Sequence, residues 1–144
     1  MIGLAPRPLD SLQQPAQNQL IAAATAGQTA PLPAAFELVP MVLGQLLYEP
    51  GSQMQHAWFP TTAVASLHYV TESGASAETA GVGREGMVGI ALFMGGQTTV
   101  GSAVVQSTGH GYRVHRHALM QAFDGAGPWR GLLLRYTQAL MTQI

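Results

Sequence analysis

Cysteine is absent from this 144-residue sequence. Disulfide bonds, thiolate zinc sites and cysteine-ligated iron–sulfur clusters are therefore excluded for these residues. Lysine is absent as well, and only 9% of the residues are charged, whereas about a quarter is usual in a globular domain. A surface so poor in charge suggests that a partner or a further domain covers part of it.

The few positive residues are spread along the chain and form no run: Arg7, Arg84, Arg113, Arg116, Arg130 and Arg135. Nucleic-acid binding needs clustered charge that neutralises phosphates. We therefore expect that this segment does not bind DNA by itself. The sequence also has no Gly-x-Ser-x-Gly elbow or comparable nucleophile arrangement, and we predict that it is not an enzyme.

Long apolar runs are missing too. No apolar stretch approaches the roughly 20 residues that cross a bilayer, and the N-terminus lacks the basic start and apolar core of a signal peptide. These features predict a cytoplasmic protein with no membrane partner.

Three kinds of segment follow one another along the chain. Residues 1–15 contain three prolines and are predicted to form a flexible arm, and 17–25 should form a short helix. Short strands punctuated by glycine and proline then indicate a β-sandwich or small barrel. The predicted strands cover 36–39, 45–48, 56–59, 64–71, 77–82, 102–106 and 112–114, with a turn over 108–111 between the last two.

Two helices are predicted after the strands, one over 116–123 and one from Pro128 onwards. The second carries apolar residues on more than one side, including Leu132, Leu134 and Met141. A helix that is apolar on several sides has to be covered on several sides. Packing on the strands alone is one possibility, but we favour a homodimer with coiled-coil-like packing. The predicted interface residues are Trp129, Leu133, Tyr136, Leu140 and Ile144.

Three segments, in this order, resemble the cyclic-nucleotide-binding fold of Crp–Fnr transcription regulators. Residues 43–51 (LGQLLYEPG) resemble its early hairpin, 58–60 (WFP) followed by 64–67 (VASL) resemble the next strands, and 82–89 (VGREGMVG) resembles the glycine-rich segment of a bacterial subgroup. The resemblance covers roughly residues 17–144. It implies a mainly β fold, a double-stranded β-helix or jelly roll, with an N-terminal helix and a C-terminal dimerisation helix.

In that family the roll senses a small molecule, the long helix forms a parallel dimer, and a helix-turn-helix domain follows. The resemblance therefore implies the effector and dimerisation part of a bacterial regulator, with the roll at 16–127 and the start of the dimerisation helix at 128–144. Nothing in the sequence resembles a helix-turn-helix, and no C-cap signal precedes Ile144. We expect that the chain stops before the DNA-binding domain, through which all DNA contact would be made.

The resemblance also places a ligand site. In cyclic-nucleotide binders of this fold a short helix offers N–H groups to the phosphate, a Glu binds the ribose hydroxyl and an Arg pairs with the phosphate. Ile90 stands where that Glu should be, and no charged residue lies between Gly86 and Tyr112. Burying the hydroxyl unpaired costs about 1–3 kcal/mol, so several decades of affinity should be lost. We predict that cAMP does not bind in the usual mode.

A different ligand stays open. Backbone amides with polar side chains could hold a small anion or polar ligand, and an apolar cavity for an uncharged ligand, or no ligand, is equally open. Polar residues on the last helix contact the base in nucleotide-binding relatives. The candidate ligand-binding residues are Gly86, Met87, Val88, Gly89, Ile90, Thr98, Thr99, Ser102 and Thr137.

Three alternatives for the function remain: a genuine cAMP or cGMP receptor that uses other residues, a haem-based gas sensor, and a stand-alone interaction module that never had a DNA-binding half. Some relatives sense gas through haem with a histidine ligand, and the sequence contains His56, His68, His110, His115 and His117. No carboxylate–histidine set has metal-site spacing, so we expect structural or surface histidines, no metal and no cofactor. Arg84 and Glu85 are interpreted as an exposed pair in a turn. Contact of this corner with the DNA-binding half or with polymerase is the alternative.

Overall fold

A computed structural model describes residues 14–26, 35–70, 76–94 and 101–142. Over these residues the chain forms seven strands and three α-helices. The strands are β1 (Phe36–Met41), β2 (Leu46–Tyr48), β3 (His56–Pro60), β4 (Val64–Val70), β5 (Ser76–Val82), β6 (Gly101–Ser107) and β7 (Gly109–His115). The helices are α1 (Gln19–Thr25), α2 (Arg116–Asp124) and α3 (Trp129–Met141), and 3₁₀ turns cover Pro15–Gln17 and Ile90–Leu92. The predicted mainly β fold with flanking helices is confirmed.

The strands form two antiparallel sheets. One has the order β1-β7-β3 and the other the order β2-β6-β4-β5. β6 and β7 follow each other directly but belong to different sheets, so the chain changes sheet at Thr108. The predicted turn over 108–111 was wrong in extent, because Gly109 pairs with Met41 and Gly111 pairs with Val39 and Pro60 inside the three-stranded sheet.

The three-stranded sheet is the middle layer of the molecule. Because neighbouring side chains of a strand point to opposite faces, β3 contributes to two cores. Phe59 packs in a helix-side core together with the helices, and Trp58 packs in an inter-sheet core against the four-stranded sheet. The helix-side core includes Ile21, Phe36, Phe59, Met87, Tyr112, Val114, Leu119 and Leu133. The inter-sheet core consists of Met41, Leu47, Trp58, Ala63, Ala65, Val82, Val88, Ala103 and Val105.

The first helix begins two residues later than predicted. Asn18 is its N-cap, and its side-chain Oδ1 accepts hydrogen bonds from the backbone N–H of Leu20 at 3.0 Å and of Ile21 at 3.2 Å. Such a cap satisfies donors that have no partner within the helix. Pro15, placed at the end of the predicted arm, already lies in the 3₁₀ turn; residues 1–13 lie outside the described residues.

None of the helices in the described part of the chain is long and apolar enough to cross a membrane.

Candidate functional site

The glycine-rich candidate segment, residues 82–89, lies between the two cores and contributes side chains to both. Val88 pairs with Trp58 of β3: its N–H donates to the Trp58 carbonyl at 2.8 Å, and its carbonyl accepts from the Trp58 N–H at 2.9 Å. Met87 packs in the helix-side core and Val88 in the inter-sheet core, and both side chains are buried. A change in the position of this segment therefore has to disturb both cores.

Gly89 ends this segment in a backbone conformation that favours glycine. Its φ is +125°, and a Cβ there would lie 3.2 Å from the Cα of Ala57 and 3.2 Å from the Sδ of Met54. The chain then enters the 3₁₀ turn Ile90–Leu92, where the resemblance implied a short helix. Ile90 is half-buried and packs against the helix-side core. A turn of only three residues has too few aligned peptide dipoles to bind an anion at its N-terminus.

Asn18 holds the segment from the side of α1. Its buried Nδ2 donates to the Gly86 carbonyl at 2.8 Å and to the Pro60 carbonyl at 2.9 Å. The backbone N–H of Gln19 adds a bond to the Arg84 carbonyl at 2.7 Å. Sequence reasoning missed Asn18 as a site residue. An asparagine before a short helix signals an N-cap, but nothing local signals the two long-range bonds of its amide.

Tyr136 holds the same segment from the side of α3. Its hydroxyl donates to the Met87 carbonyl at 3.3 Å, and its ring lies so close to Gly86 that a Cβ there would overlap the ring. Burial raises the pKa of Tyr136 to about 12, and the nearby carboxylate of Glu85 acts in the same direction. The phenol therefore stays protonated and able to donate at every physiological pH.

The predicted dimer residues face the chain's own cores. Trp129 stacks on Phe36 with ring centroids 5.5 Å apart, and Tyr136 contacts the Gly86–Met87 segment as described. Leu133 and Leu140 are 0% and 3% exposed, and Ile144 lies outside the described residues. Leu133 and Leu140 are thus covered by the single chain, whereas Trp129 and Tyr136 are half-buried. A dimer through α3 stays a prediction.

The two polar candidates within the described residues, Ser102 and Thr137, belong to different parts of the fold. Thr98 and Thr99 lie outside the described residues. Ser102 pairs with His68 in the four-stranded sheet and points to the face opposite buried Ala103, away from the inter-sheet core. Thr137 is buried on the inner side of α3, and its hydroxyl donates to the Leu133 carbonyl at 2.8 Å.

Among the described residues, the interior offers no charged side chain to a ligand. The buried polar residues in the described part of the chain are Asn18, Thr61, Ser66 and Thr137, and none of them is charged. An anion placed between the sheets would lose its hydration without gaining a cationic partner.

Three of the five histidines lie together where β3, β7 and α2 meet. The ring centroids of His56 and His115 are 5.4 Å apart and those of His115 and His117 are 4.9 Å apart. Partial burial, followed by the positive charge of Arg113 and by His115, lowers the pKa of His56, and Glu37 opposes this shift. Among the described residues, no three histidine, cysteine or acidic side chains are arranged to hold a metal ion.

Arg84 and Glu85 are exposed in a turn, as predicted. The Glu85 carboxylate accepts a hydrogen bond from the Gly83 N–H at 2.9 Å. This bond gives the acidic member of the pair a local role in shaping the turn.

Comparisons by sequence and by structure give different results. No protein-family model and no curated protein sequence matches the chain. Solved structures do match. The N-terminal domain of a transcriptional regulator from Streptomyces coelicolor A3(2) superposes with a TM-score of 0.62 at 20% identity, over 88% of this chain and 90% of that one.

FixK2 from Bradyrhizobium japonicum matches with a TM-score of 0.63 at 12% identity, over 75% of this chain. The catabolite activator protein of Thermus thermophilus matches with a TM-score of 0.58 at 16% identity, over 87% of this chain. In both cases the match covers 53% of the longer protein, so this chain spans about half their length. At these identities the likeness concerns the fold, and the chain has the cyclic-nucleotide-binding jelly-roll fold that occurs in transcription regulators.

Proposed function

We propose that the chain is the effector and dimerisation domain of a bacterial Crp–Fnr-type transcription regulator, and that it does not bind cAMP or cGMP in the usual mode. The observation that carries this proposal is that no buried side chain is charged in the part of the chain that the structure describes. The fold that the chain shares with parts of transcription regulators supports the first half of the proposal.

The chemistry of a cyclic nucleotide does not suit this interior. Its phosphate needs a charged donor, and its ribose hydroxyl needs an acceptor. The side chain at the position of the implied Glu is Ile90, which packs toward the helices. Trp58, Met41 and Leu47 occupy the space between the sheets. An effector of this domain is therefore expected to be small and uncharged.

Calorimetric titration with cAMP and with cGMP tests this expectation. Because the charged pairing is absent, we expect dissociation constants weaker than about 1 mM, where the binding free energy is only about −4 kcal/mol. Submicromolar binding of either nucleotide would overturn the proposal. Should either nucleotide bind, the same titration of an Ile90→Ala variant shows whether Ile90 takes part in the contact. A wholly different binding mode would be insensitive to this substitution.

A homodimer through α3 is part of the proposal, with contacts that include the exposed face of the helix. Leu134 and Met141 are 43% and 56% exposed. Together with Gln138 they follow the i, i+4, i+7 spacing of one helix face. This face can pack against the same face of a second copy in coiled-coil fashion, while the opposite side of α3 stays on the chain's own core.

Replacing both Leu134 and Met141 with Glu is expected to convert the dimer to monomer, because four carboxylates would meet in the interface. Sedimentation equilibrium at several concentrations measures the change. Ala139→Glu is the matched control, since Ala139 is exposed on a different side of the helix. A wild-type chain that is monomeric at about 100 μM, in the range of weak association, would contradict the dimer, as would equal dissociation in the Ala139 variant.

In the intact regulator, DNA would be bound by a helix-turn-helix domain outside the described residues, and the protein would act in the cytoplasm. This chain would supply the dimer interface and the binding site for the effector. It would reach DNA only through that further domain.

A further inference from the structure

The outer side of α3 carries a second line of residues, separate from the side chains that pack on the chain's own core. We call it the outer stripe and define it by Gly131, Leu134, Gln138 and Met141. Gly131 is half-buried and the other three are exposed. Their alternating spacing of three and four positions is that of the a and d positions of a heptad. Such positions form the seam between two helices of a coiled coil.

The described part of the chain gives no reason for a glycine at position 131. This residue lies inside α3 and does not have a positive φ. The nearest atoms to a Cβ there belong to the guanidinium of Arg135, with Nη1 at 3.2 Å, and the end of so flexible a side chain can move aside. Glycine also disfavours a helix relative to alanine. Its one advantage here is a bare backbone that another helix can approach closely.

Gln138 lies in the middle of the outer stripe, between Leu134 and Met141. Its side chain has no hydrogen bond with any residue that the structure describes. An amide both donates and accepts hydrogen bonds, so it can pair with a copy of itself, whereas two like charges would repel each other. The outer stripe carries no charge at any of its positions. It is therefore complementary to a second copy of the same stripe.

The charges beside the outer stripe also suit a second copy. In a coiled coil the e and g positions flank the seam and can form salt bridges between the helices, and Arg135 and Arg130 take these two positions. Arg130 is paired with Asp124, whose Oδ1 lies 3.2 Å from its Nη2. Within the described residues Arg135 has no ion pair. In-register pairing brings Arg135 of one copy toward the flank on which the other copy holds a carboxylate.

We infer that two copies of α3 pair in register through the outer stripe, that Gly131 is the point at which the helices approach most closely, and that Gln138 lies opposite its own copy. The inference rests on the proposed homodimer and adds the crossing point and the register of its helices. A second copy fits this surface because a two-fold axis lets each position of the stripe meet itself.

Gly131→Ala tests the crossing point. Alanine is the better helix former, so the stability of the monomer in denaturant unfolding should stay the same or rise. The dissociation constant of the dimer should nevertheless rise by about tenfold, because the methyl group overpacks a close contact. Sedimentation equilibrium measures this constant. Gly127→Ala, at a position with open space around its Cβ, is the matched control and should leave the constant unchanged.

Single-cysteine variants test the register, since the chain has no cysteine of its own. A disulfide forms only where two cysteines lie close together with suitable geometry. Leu134→Cys, Gln138→Cys and Met141→Cys should therefore each give a covalent dimer of the 144-residue chain with copper phenanthroline as oxidant. Ala139→Cys, exposed on a different side of the helix, is the matched control and should stay monomeric on a non-reducing gel.

The outcomes separate this inference from the homodimer on which it rests. A wild-type chain that is monomeric contradicts both. A wild-type dimer with an unchanged dissociation constant in Gly131→Ala leaves the homodimer standing but overturns the crossing point. Cross-linking at only one of the three stripe positions, or equal cross-linking of Ala139→Cys, overturns the in-register pairing.

Discussion

Asn18→Ala is expected to lower the free energy of unfolding by about 3–5 kcal/mol, the largest loss that we expect from a single substitution outside the apolar core. The side chain is fully buried. Its amide donates to two backbone carbonyls from different parts of the chain, and its Oδ1 caps α1. Removing it leaves the Gly86 and Pro60 carbonyls buried without these partners and removes the cap as well. Denaturant unfolding at pH 7 measures the loss.

A second substitution separates the cap from the long-range bonds. Asn18→Asp keeps an oxygen that can cap α1, but it points a carboxylate oxygen at two carbonyl oxygens. It should therefore destabilise the chain at least as much as alanine does. Gln19→Ala is the control, because the exposed Gln19 uses its backbone N–H, and not its side chain, to reach Arg84. A loss below about 1 kcal/mol for Asn18→Asp would mean that the cap alone matters.

Gly86→Ala is the second substitution from which we expect a large loss in the free energy of unfolding. The new methyl group would overlap the ring of Tyr136, and that ring is largely buried and hydrogen-bonded to Met87, so it cannot move aside without loss. Overpacking of this kind costs about 2–3 kcal/mol. The midpoint of denaturant unfolding should fall accordingly. Gly127→Ala should be neutral or slightly stabilising, because nothing lies within 4 Å of the new Cβ and alanine restricts the unfolded chain.

A double variant shows whether Tyr136 is the cause. Tyr136→Leu makes room beside Gly86, so Gly86→Ala should cost much less in that background than in the wild type. The coupling between the two positions should exceed about 1 kcal/mol, since they are in direct contact. Additive effects would contradict the contact between α3 and the glycine-rich segment.

Both predictions concern the same short stretch of chain, Gly83 to Gly89. α1 holds it through Asn18, α3 holds it through Tyr136, and β3 pairs with it at Val88. The stretch that the resemblance assigned to ligand binding is thus a structural junction between three elements. A ligand that displaced it would alter the position of α3.

Much of the candidate site was visible in the sequence, but not its arrangement. The glycine-rich pattern marked Gly86 and Gly89 as special positions, and both are required by close packing or backbone conformation. The missing charge around Ile90 indicated an interior unsuited to a cyclic phosphate. The partners Asn18 and Tyr136 could not be assigned in this way, because the residues that they contact lie far away in the sequence.

The last helix illustrates the same limit. Its spacing predicted a helix correctly, and its apolar residues on several sides indicated that it has more than one covered face. Periodicity shows that Leu133 and Leu134 point in different directions, but it does not show which of them meets the chain's own roll. The structure assigns Leu133 to the inside and leaves Leu134 exposed.

What the sequence by itself determined is local: the approximate positions of the strands and helices, the scarcity of charge and the absence of thiol chemistry. These follow from side-chain period, glycine and proline positions and composition. The tertiary structure alone decided that β6 and β7 lie in different sheets, that Asn18 and Tyr136 enclose the glycine-rich segment, and that His56 lies beside His115. The physical reason is that these pairings join residues far apart in the chain, and only the simultaneous packing of both cores selects them.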